Sequence, residues 1–325
     1  MKRKWLIFLV VGLIFVLAAC GSNDETYTIG ASQFVEHPSL DAAYGGFQEA
    51  IADAGLEVEY DLQSAQADQN NTIPIAQNFV ADGVDLIFAN ATPSAQGALQ
   101  ATEDAKDIPV IFTSVTDAVG SELVEAMDQP GENITGVVDL HPDAIKNTIT
   151  FIDQYFEGST VGVIYNSGEQ NSVAQIDAVK AEIEGTSLSI VERTVATSAD
   201  VQQAANTLVG EADVFYIVTD NTVVSALESV ISVANEQDIP LVVGEGESLA
   251  KGGFVTYGID YHTIGYRAGE MAVEVLTGEK TTADIPVEIP PSMQLFINKT
   301  AAEEQAIEWN DEWDDIAQFV ETSEE

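Results

Sequence analysis

The chain predicts an α/β fold of two doubly wound lobes, each built on a parallel sheet. Three observations carry this. First, the sequence repeats itself at an offset of about 130 residues: Val84-Asp85-Leu86-Ile87-Phe88-Ala89-Asn90 aligns with Ala212-Asp213-Val214-Phe215-Tyr216-Ile217-Val218, and Asp107-Ile108-Pro109-Val110-Ile111 with Asp238-Ile239-Pro240-Leu241-Val242. Second, short apolar runs bounded by turn residues alternate with longer helical patterns, the signature of βαβ units. Third, helical patterns stop at glycine, as at Gly55 and Asp82-Gly83.

In chain order, the start reads as a leader. Lys2, Arg3 and Lys4 precede an apolar run from Trp5 to Ala19, about 15 residues and short of the roughly 20 that span a bilayer. Leu17-Ala18-Ala19-Cys20-Gly21 resembles the lipobox of bacterial lipoproteins. That resemblance implies cleavage before Cys20, acylation of its thiol and anchoring of the mature chain to the bilayer. Ser22 to Thr26 reads as a polar tether. The first half opens at Ile29-Gly30, with helices expected from about Ser39 to Ala54 and Ile73 to Ala81; the second opens at Val161-Gly162. The acidic tail after Trp313 is expected to fray.

Composition narrows the function. The chain carries 54 acidic against 11 basic residues, a formal net charge of −43, and three of the basic residues lie in the leader. Such a surface repels nucleic acid and anionic headgroups, so no nucleic-acid partner is expected. The acidity reads as a mark of a saline or alkaline habitat, where salt screens like charge. Cys20 is the only cysteine, so disulfides and cysteine metal sites are excluded. The hydrophobic share of 46% is enough for two real cores.

Parallel sheets bind ligands beyond the carboxyl ends of their strands. Facing lobes would line one cleft with both sets of strand ends. In the first half these hold Ser32-Gln33-Phe34-Val35-Glu36-His37-Pro38-Ser39 and the turn Thr92-Pro93-Ser94. In the second they hold Tyr165-Asn166-Ser167-Gly168-Glu169-Gln170-Asn171-Ser172 and Thr219-Asp220-Asn221-Thr222. Ser39 and Ser172 are candidate helix N-caps. The free N–H groups and hydroxyls of Thr92-Pro93-Ser94 suit a ligand carboxylate. Asp220 suits a ligand ammonium, with Glu169 and Glu245 as competitors and helix capping as the other reading of Asp220. Phe34, Tyr165 and Tyr257 could sandwich a flat apolar group or pack at the rim.

From Ile29 to about Asn298, these segments, with Ala91-Thr92-Pro93-Ser94-Ala95-Gln96, Thr116-Asp117 and Tyr257-Gly258-Ile259-Asp260-Tyr261, resemble the substrate-binding lipoproteins of the ABC importer group assigned to tryptophan and tyrosine. The resemblance implies a type I periplasmic-binding fold, two lobes joined by a hinge of three crossovers, ligand capture by lobe closure and delivery to a membrane permease. It places the ligand site on Gln33, Phe34, Glu36, Thr92, Pro93, Ser94, Tyr165, Asn166, Glu169, Asn171, Ser172, Asp220, Asn221, Glu245 and Asp260. Crossings are expected near Thr135 to Pro142, Tyr257 to Asp260 and Val287 to Pro291. The layout is then residues 1–19 signal peptide, 20–26 tether, 27–138 with 260–286 the N-terminal lobe, 139–259 with 287–315 the C-terminal lobe, and 316–325 the acidic tail.

An enzyme is disfavoured. The chain lacks a phosphate loop, a Rossmann glycine fingerprint and a Gly-x-Ser-x-Gly elbow, and its histidines, His37, His141 and His262, are scattered. No cofactor and no metal is expected. A sensor presenting its closed form to a receptor, and an importer component for a sugar or nucleoside, remain open. A zwitterion fits carboxylates facing N–H turns better than a sugar does, and no tryptophan is expected in the cleft, since Trp309 and Trp313 lie towards the tail.

Overall fold

A computed structural model describes residues 26–323. The leader, Cys20 and nearly all of the tether lie outside these residues. Among the described residues no helix is long and apolar enough to cross a membrane.

The chain begins β1 (Tyr27–Gln33), α1 (Pro38–Asp53), β2 (Val58–Ser64), α2 (Gln69–Asp82), β3 (Leu86–Asn90), α3 (Thr92–Ala101), β4 (Val110–Val115) and β5 (Ile134–Val138). These strands form one parallel sheet in the order β2-β1-β3-β4-β5, with Ile29 paired to Tyr60 on one side and Leu86 on the other. Then follow α4 (Ala144–Tyr155), β6 (Thr160–Asn166), α5 (Gln170–Ile183), β7 (Ser189–Val195), α6 (Val201–Leu208), β8 (Val214–Ile217), α7 (Asn221–Val224), α8 (Leu227–Glu236), β9 (Leu241–Val243), α9 (Gly246–Lys251) and β10 (Val255–Gly258). The chain ends with α10 (Tyr261–Leu276), β11 (Gln294–Asn298), α11 (Lys299–Glu304), α12 (Trp313–Ile316) and β12 (Gln318–Val320). The second sheet runs β12-β11-β10-β9-β8-β6-β7, parallel except where β10 meets β11. Fully buried strands such as β3, β4 and β8 explain their unbroken apolar runs: helices cover both faces.

The chain passes between the sheets three times. After β5 it enters α4, whose Ile145, Ile149 and Ile152 join the core of the second sheet. After β10 it returns in α10, whose Ile264, Ala268 and Met271 pack in the core of the first. It leaves again between Val287 and β11. The crossings are tied together where Glu288 N donates to Gly136 O (3.1 Å), Val138 N donates to Glu288 O (2.9 Å) and the Arg267 guanidinium clasps the Glu288 carboxylate through two nitrogens (2.8 and 2.9 Å).

Two boundaries differ from expectation. Helix α2 begins at Gln69 rather than near Ile73, because the Asp68 side chain accepts the Asn70 N–H and caps it (2.9 Å), while Pro74 sits inside the helix. The acidic tail at 316–325 is not frayed over its first residues. Gln318–Val320 adds a strand to the exposed edge of β11, Phe319 packs at 5.8 Å from Trp309, and Lys299 Nζ lies 3.9 Å over the Phe319 ring. Trp313, 2% exposed, fills the core of the second lobe beside Phe151 and Phe254. An edge strand's free N–H and C=O groups recruit a partner, and the aromatics hold it there.

Helices α1 and α10 cross at near backbone contact. A Cβ at Gly265 would lie 1.9 Å from Ala43 O, one at Gly46 2.1 Å from His262 O, and one at Gly269 2.5 Å from Phe47 O. This crossing fastens the last-arriving helix of the first lobe to its first helix. Gly265→Ala gains about 1 kcal/mol of helix propensity, but the obstructing atom is a backbone carbonyl that cannot rotate aside. The prediction is a net loss of about 1–3 kcal/mol, read by thermal denaturation as a melting point lower by several degrees.

Candidate interlobe ligand site

The carboxyl ends of both sheets face each other, and the lobes are drawn together at the rim. Gln69 Nε2 donates to Gly168 O (2.8 Å), Gln170 Nε2 donates to Gly120 O (2.9 Å) and Ser121 Oγ donates to Gln170 Oε1 (3.0 Å). Deeper, Ser39 Oγ donates to Glu245 Oε2. Between them lies a cavity of about 30 Å³, lined from the first lobe by His37, Ser39, Leu40, Ser114 and Thr116, from the second by Asn171, Thr219, Asn221, Val224 and Glu245, and at the crossings by Asp139 and Tyr261. That volume holds a water or two, so a larger ligand requires the lobes to part and close again around it.

Most of the expected site residues build the walls rather than meet the cavity. Asn171, Asn221 and Glu245 line it. Glu169 is fully buried but turned to the next loop: Oε1 accepts from Thr222 N (3.0 Å) and Thr222 Oγ1 (2.7 Å), and Oε2 from Asn221 N (3.2 Å) and Asn221 Nδ2 (2.7 Å). Asp220 is the N-cap of α7, accepting from Val223 N (2.8 Å), and its other oxygen accepts from Asn166 N (2.6 Å). Asp220 therefore takes the capping role that stood as its other reading: both its oxygens are held inside the wall, and it does not line the cavity. Asn166 Nδ2 donates to Thr222 Oγ1 (2.9 Å) in the same network.

The remaining residues are placed as follows. Ser172 is buried beside Asn171, whose Nδ2 donates to its hydroxyl (3.3 Å). Gln33 bonds Asp41 and Asn90, Phe34 packs with Leu40 and Ala65, and Glu36 is exposed. Thr92, Pro93 and Ser94 are buried at the start of α3, with Ser94 accepting from Ser32 Oγ (3.2 Å), and none of them lines the cavity. Tyr165 lies at the lobe surface with its hydroxyl on Glu192 (3.1 Å), and Tyr257 packs against the second core. Asp260 is exposed, caps α10 through Thr263 N (3.0 Å) and borders a separate groove behind the crossings. The caps expected at Ser39 and Ser172 lie two and three residues past the observed ones. His37 caps α1, accepting from Ser39 N (3.3 Å), and Glu169 occupies the cap position of α5.

Sequence reasoning missed Asp139, Tyr261 and Ser114 as site residues. Asp139 follows the apolar run of β5, so it sits at a strand end like the others, but the same run also serves as a crossing, which hides that end in the sequence. Its Oδ2 accepts from Tyr261 OH (2.9 Å), while Oδ1 is sealed from solvent with no hydrogen-bond partner among the described residues. His37 Nε2 and Asn171 Oδ1, around the same cavity, are likewise unpartnered.

Burial sets the charge states here. Desolvation pushes the Asp139 carboxyl up to about 6, against the hydroxyls of Tyr261 and Thr116 and its own backbone N–H, and the charge of Glu245 adds to the rise. Asp220 is raised by burial first and the neighbouring Glu169 second. His37 is lowered by burial, although Glu245 opposes the shift, so the imidazole is neutral near pH 7. With Nδ1 accepting from Ser39, its proton sits on Nε2.

A carboxyl held near 6 instead of its usual 3.8 costs stability wherever the folded protein must ionise it. The cost is full above pH 6 and absent below about 4. Asp139→Asn keeps an acceptor for Tyr261 and removes that cost. The expected result is a more stable protein at pH 7–8, by on the order of 2–3 kcal/mol, with the gain shrinking to nothing at pH 4. Thermal melts of both proteins across that range check it.

Residues 28–320 match the family described as ABC transporter substrate binding protein. The chain is 40% identical over 319 residues to a tyrosine-binding protein of Clostridioides difficile, spanning 92% of this chain and 91% of the relative. Among solved structures it resembles a conserved domain protein of Vibrio cholerae (34% identity, TM-score 0.86) and an ABC domain from Streptococcus pneumonia in complex with L-Trp (32%, TM-score 0.85), each over 91% of this chain and all of the other. A ligand-free, open structure of a substrate-binding protein with adhesive properties from Clostridium difficile, at 35% identity and the same coverage, superposes less well, with a TM-score of 0.66. At similar identity, that difference agrees with lobes drawn together by the rim contacts. The family's description is that of a substrate-binding protein rather than an enzyme. The chain is a member of the ABC transporter substrate-binding protein family, with the two-lobed type I periplasmic-binding fold.

Proposed function

We propose that this protein captures an aromatic amino acid outside the cytoplasm and delivers it to the permease of an ABC importer, held to the outer face of the membrane by an acylated Cys20. The observation that supports the ligand class most is kinship. The relative at 40% identity is named for tyrosine and the structure at 32% holds L-Trp, whereas neighbours holding 5-methylthioribose, myo-inositol or L-rhamnose are 14–18% identical and speak to the fold alone. The chemistry of the cavity agrees: hydroxyls, an amide and carboxylates at the strand ends, with Leu40 and Val224 as apolar lining. Of the residues expected to meet the ligand, Asn171, Asn221 and Glu245 are retained, joined by His37, Ser39 and Asp139. Capture works because the ligand touches both lobes and so favours the closed arrangement.

A ligand bound only by the folded protein raises its melting temperature by mass action. For the chain lacking residues 1–20, tyrosine, tryptophan or phenylalanine at 100 times Kd should stabilise by about 2.7 kcal/mol. A shift with a sugar or nucleoside and with no amino acid would overturn the ligand assignment. Separately, Cys20→Ser should move the full-length protein from the membrane fraction to the medium or periplasm; retention in the membrane would show that the leader anchors it without the lipid.

A further inference from the structure

Two carboxylates, Asp139 and Glu245, line the interlobe cavity, and no lysine or arginine joins them there among the described residues. They differ in how they are held. Glu245 is fixed in place as the cap of α9: Oε1 accepts from Ser248 N (2.6 Å), and Oε2 from Glu247 N (2.7 Å) and from Ser39 across the cleft. Asp139 has one firm partner, the Tyr261 hydroxyl; the Thr116 hydroxyl lies near enough to ease its charge, yet Oδ1 makes no hydrogen bond. Asn171, 2% exposed, uses its Nδ2 on Thr219 O (3.1 Å), Ser172 Oγ and Glu169, which leaves its Oδ1 as a second free acceptor. His37, 4% exposed, leaves only Nε2–H free, with the nearest Glu245 oxygen 3.9 Å away. Buried polar atoms in native proteins are almost always paired, and a buried carboxylate left half-paired is among the costliest exceptions. Two free acceptors, one of them charged, and one free donor match the head group of an amino acid, with the balance on its cationic end.

We infer that Asp139, with Asn171, receives the α-ammonium group of the ligand, and that this ammonium, more than the carboxylate, decides what the cavity accepts. The assignment rests on the amino-acid reading above and moves the ammonium from the second-lobe loops to the crossing between lobes. An ammonium there neutralises Asp139 only when both lobes close over it, because Asp139 follows β5 of the first sheet while Asn171 stands on α5 of the second.

The test compares three probes by calorimetry on the wild-type protein and on Asp139→Asn: L-tyrosine, tyramine, which lacks the carboxylate, and 3-(4-hydroxyphenyl)propanoate, which lacks the amine. In the wild type the propanoate should bind at least about 100-fold more weakly than L-tyrosine, and tyramine should outbind the propanoate. Asp139→Asn should weaken L-tyrosine and tyramine by about 10- to 100-fold, as for a lost hydrogen bond to a charged group, and leave the propanoate unchanged. Tyr261→Phe, which frees Asp139 without removing it, should show the same selectivity with a smaller loss. Equal weakening of all three probes, or L-tyrosine affinity within twofold of wild type in Asp139→Asn, overturns the inference. If the wild type takes none of the three but binds another amine, the aromatic reading falls and the same amine and des-amino comparison decides the role of Asp139. Binding of a neutral sugar alone would overturn both.

Discussion

Carboxylates buried without cations are the constraint on which the rest of this structure depends. With 54 acidic residues and 11 basic ones, the chain holds the carboxylates at its lobe interface with N–H and O–H donors. Glu169 gathers four donors from Asn221 and Thr222, Asp220 takes the N–H groups of Val223 and Asn166, and Glu245 takes those of Glu247 and Ser248. Each of these bonds pins a loop at the end of a strand. Loops that would otherwise move independently become one rigid wall, because a carboxylate stripped of its donors in a dry interior is costly. The shape of the cavity is a consequence of that pinning.

The basic residues that remain work elsewhere. Arg267 clasps Glu288 beside the crossings, and Lys106, Lys180, Arg193, Lys251, Lys280 and Lys299 pair with acidic neighbours outside the cavity. Most of these pairs are solvated and contribute little each. The cleft is left with a negative interior and a neutral histidine. Rim contacts made by Gln69, Gln170 and Ser121 are uncharged hydrogen bonds, strong enough to define the closed arrangement and weak enough to part when a ligand must pass.

The fold was readable because duplication and parallel-sheet patterning are written in runs of many residues. Val84–Asn90 and Ala212–Val218 mark strands at equivalent places in two lobes, and Gly83, with φ of 68°, ends its helix as glycine is suited to do. Site residues were less readable for a local reason. A strand-end aspartate reads identically in sequence whether it caps the next helix or faces a ligand. Asp220 does the first. Asp139, after a strand that also serves as a crossing, faces the cavity. Which way each turns depends on donors supplied by segments far away in sequence, such as Asn166 for Asp220 and Tyr261 for Asp139. Strand β12 was hidden for a similar reason: Gln318–Val320 is too short and too acidic in its surroundings to announce a strand, and it forms because β11 offers an open edge and Trp309 and Lys299 a surface for Phe319.

The proposed seat of the ligand's positive end is the crossing between lobes rather than the second-lobe loops. A crystal structure of the complex with L-tyrosine tests it most directly. The α-ammonium nitrogen is expected about 3 Å from Asp139 Oδ1, with Glu169 and Asp220 still bonded to Thr222, Asn221, Val223 and Asn166. An ammonium seated on Asp220 or Glu169, with those wall bonds broken, would contradict it.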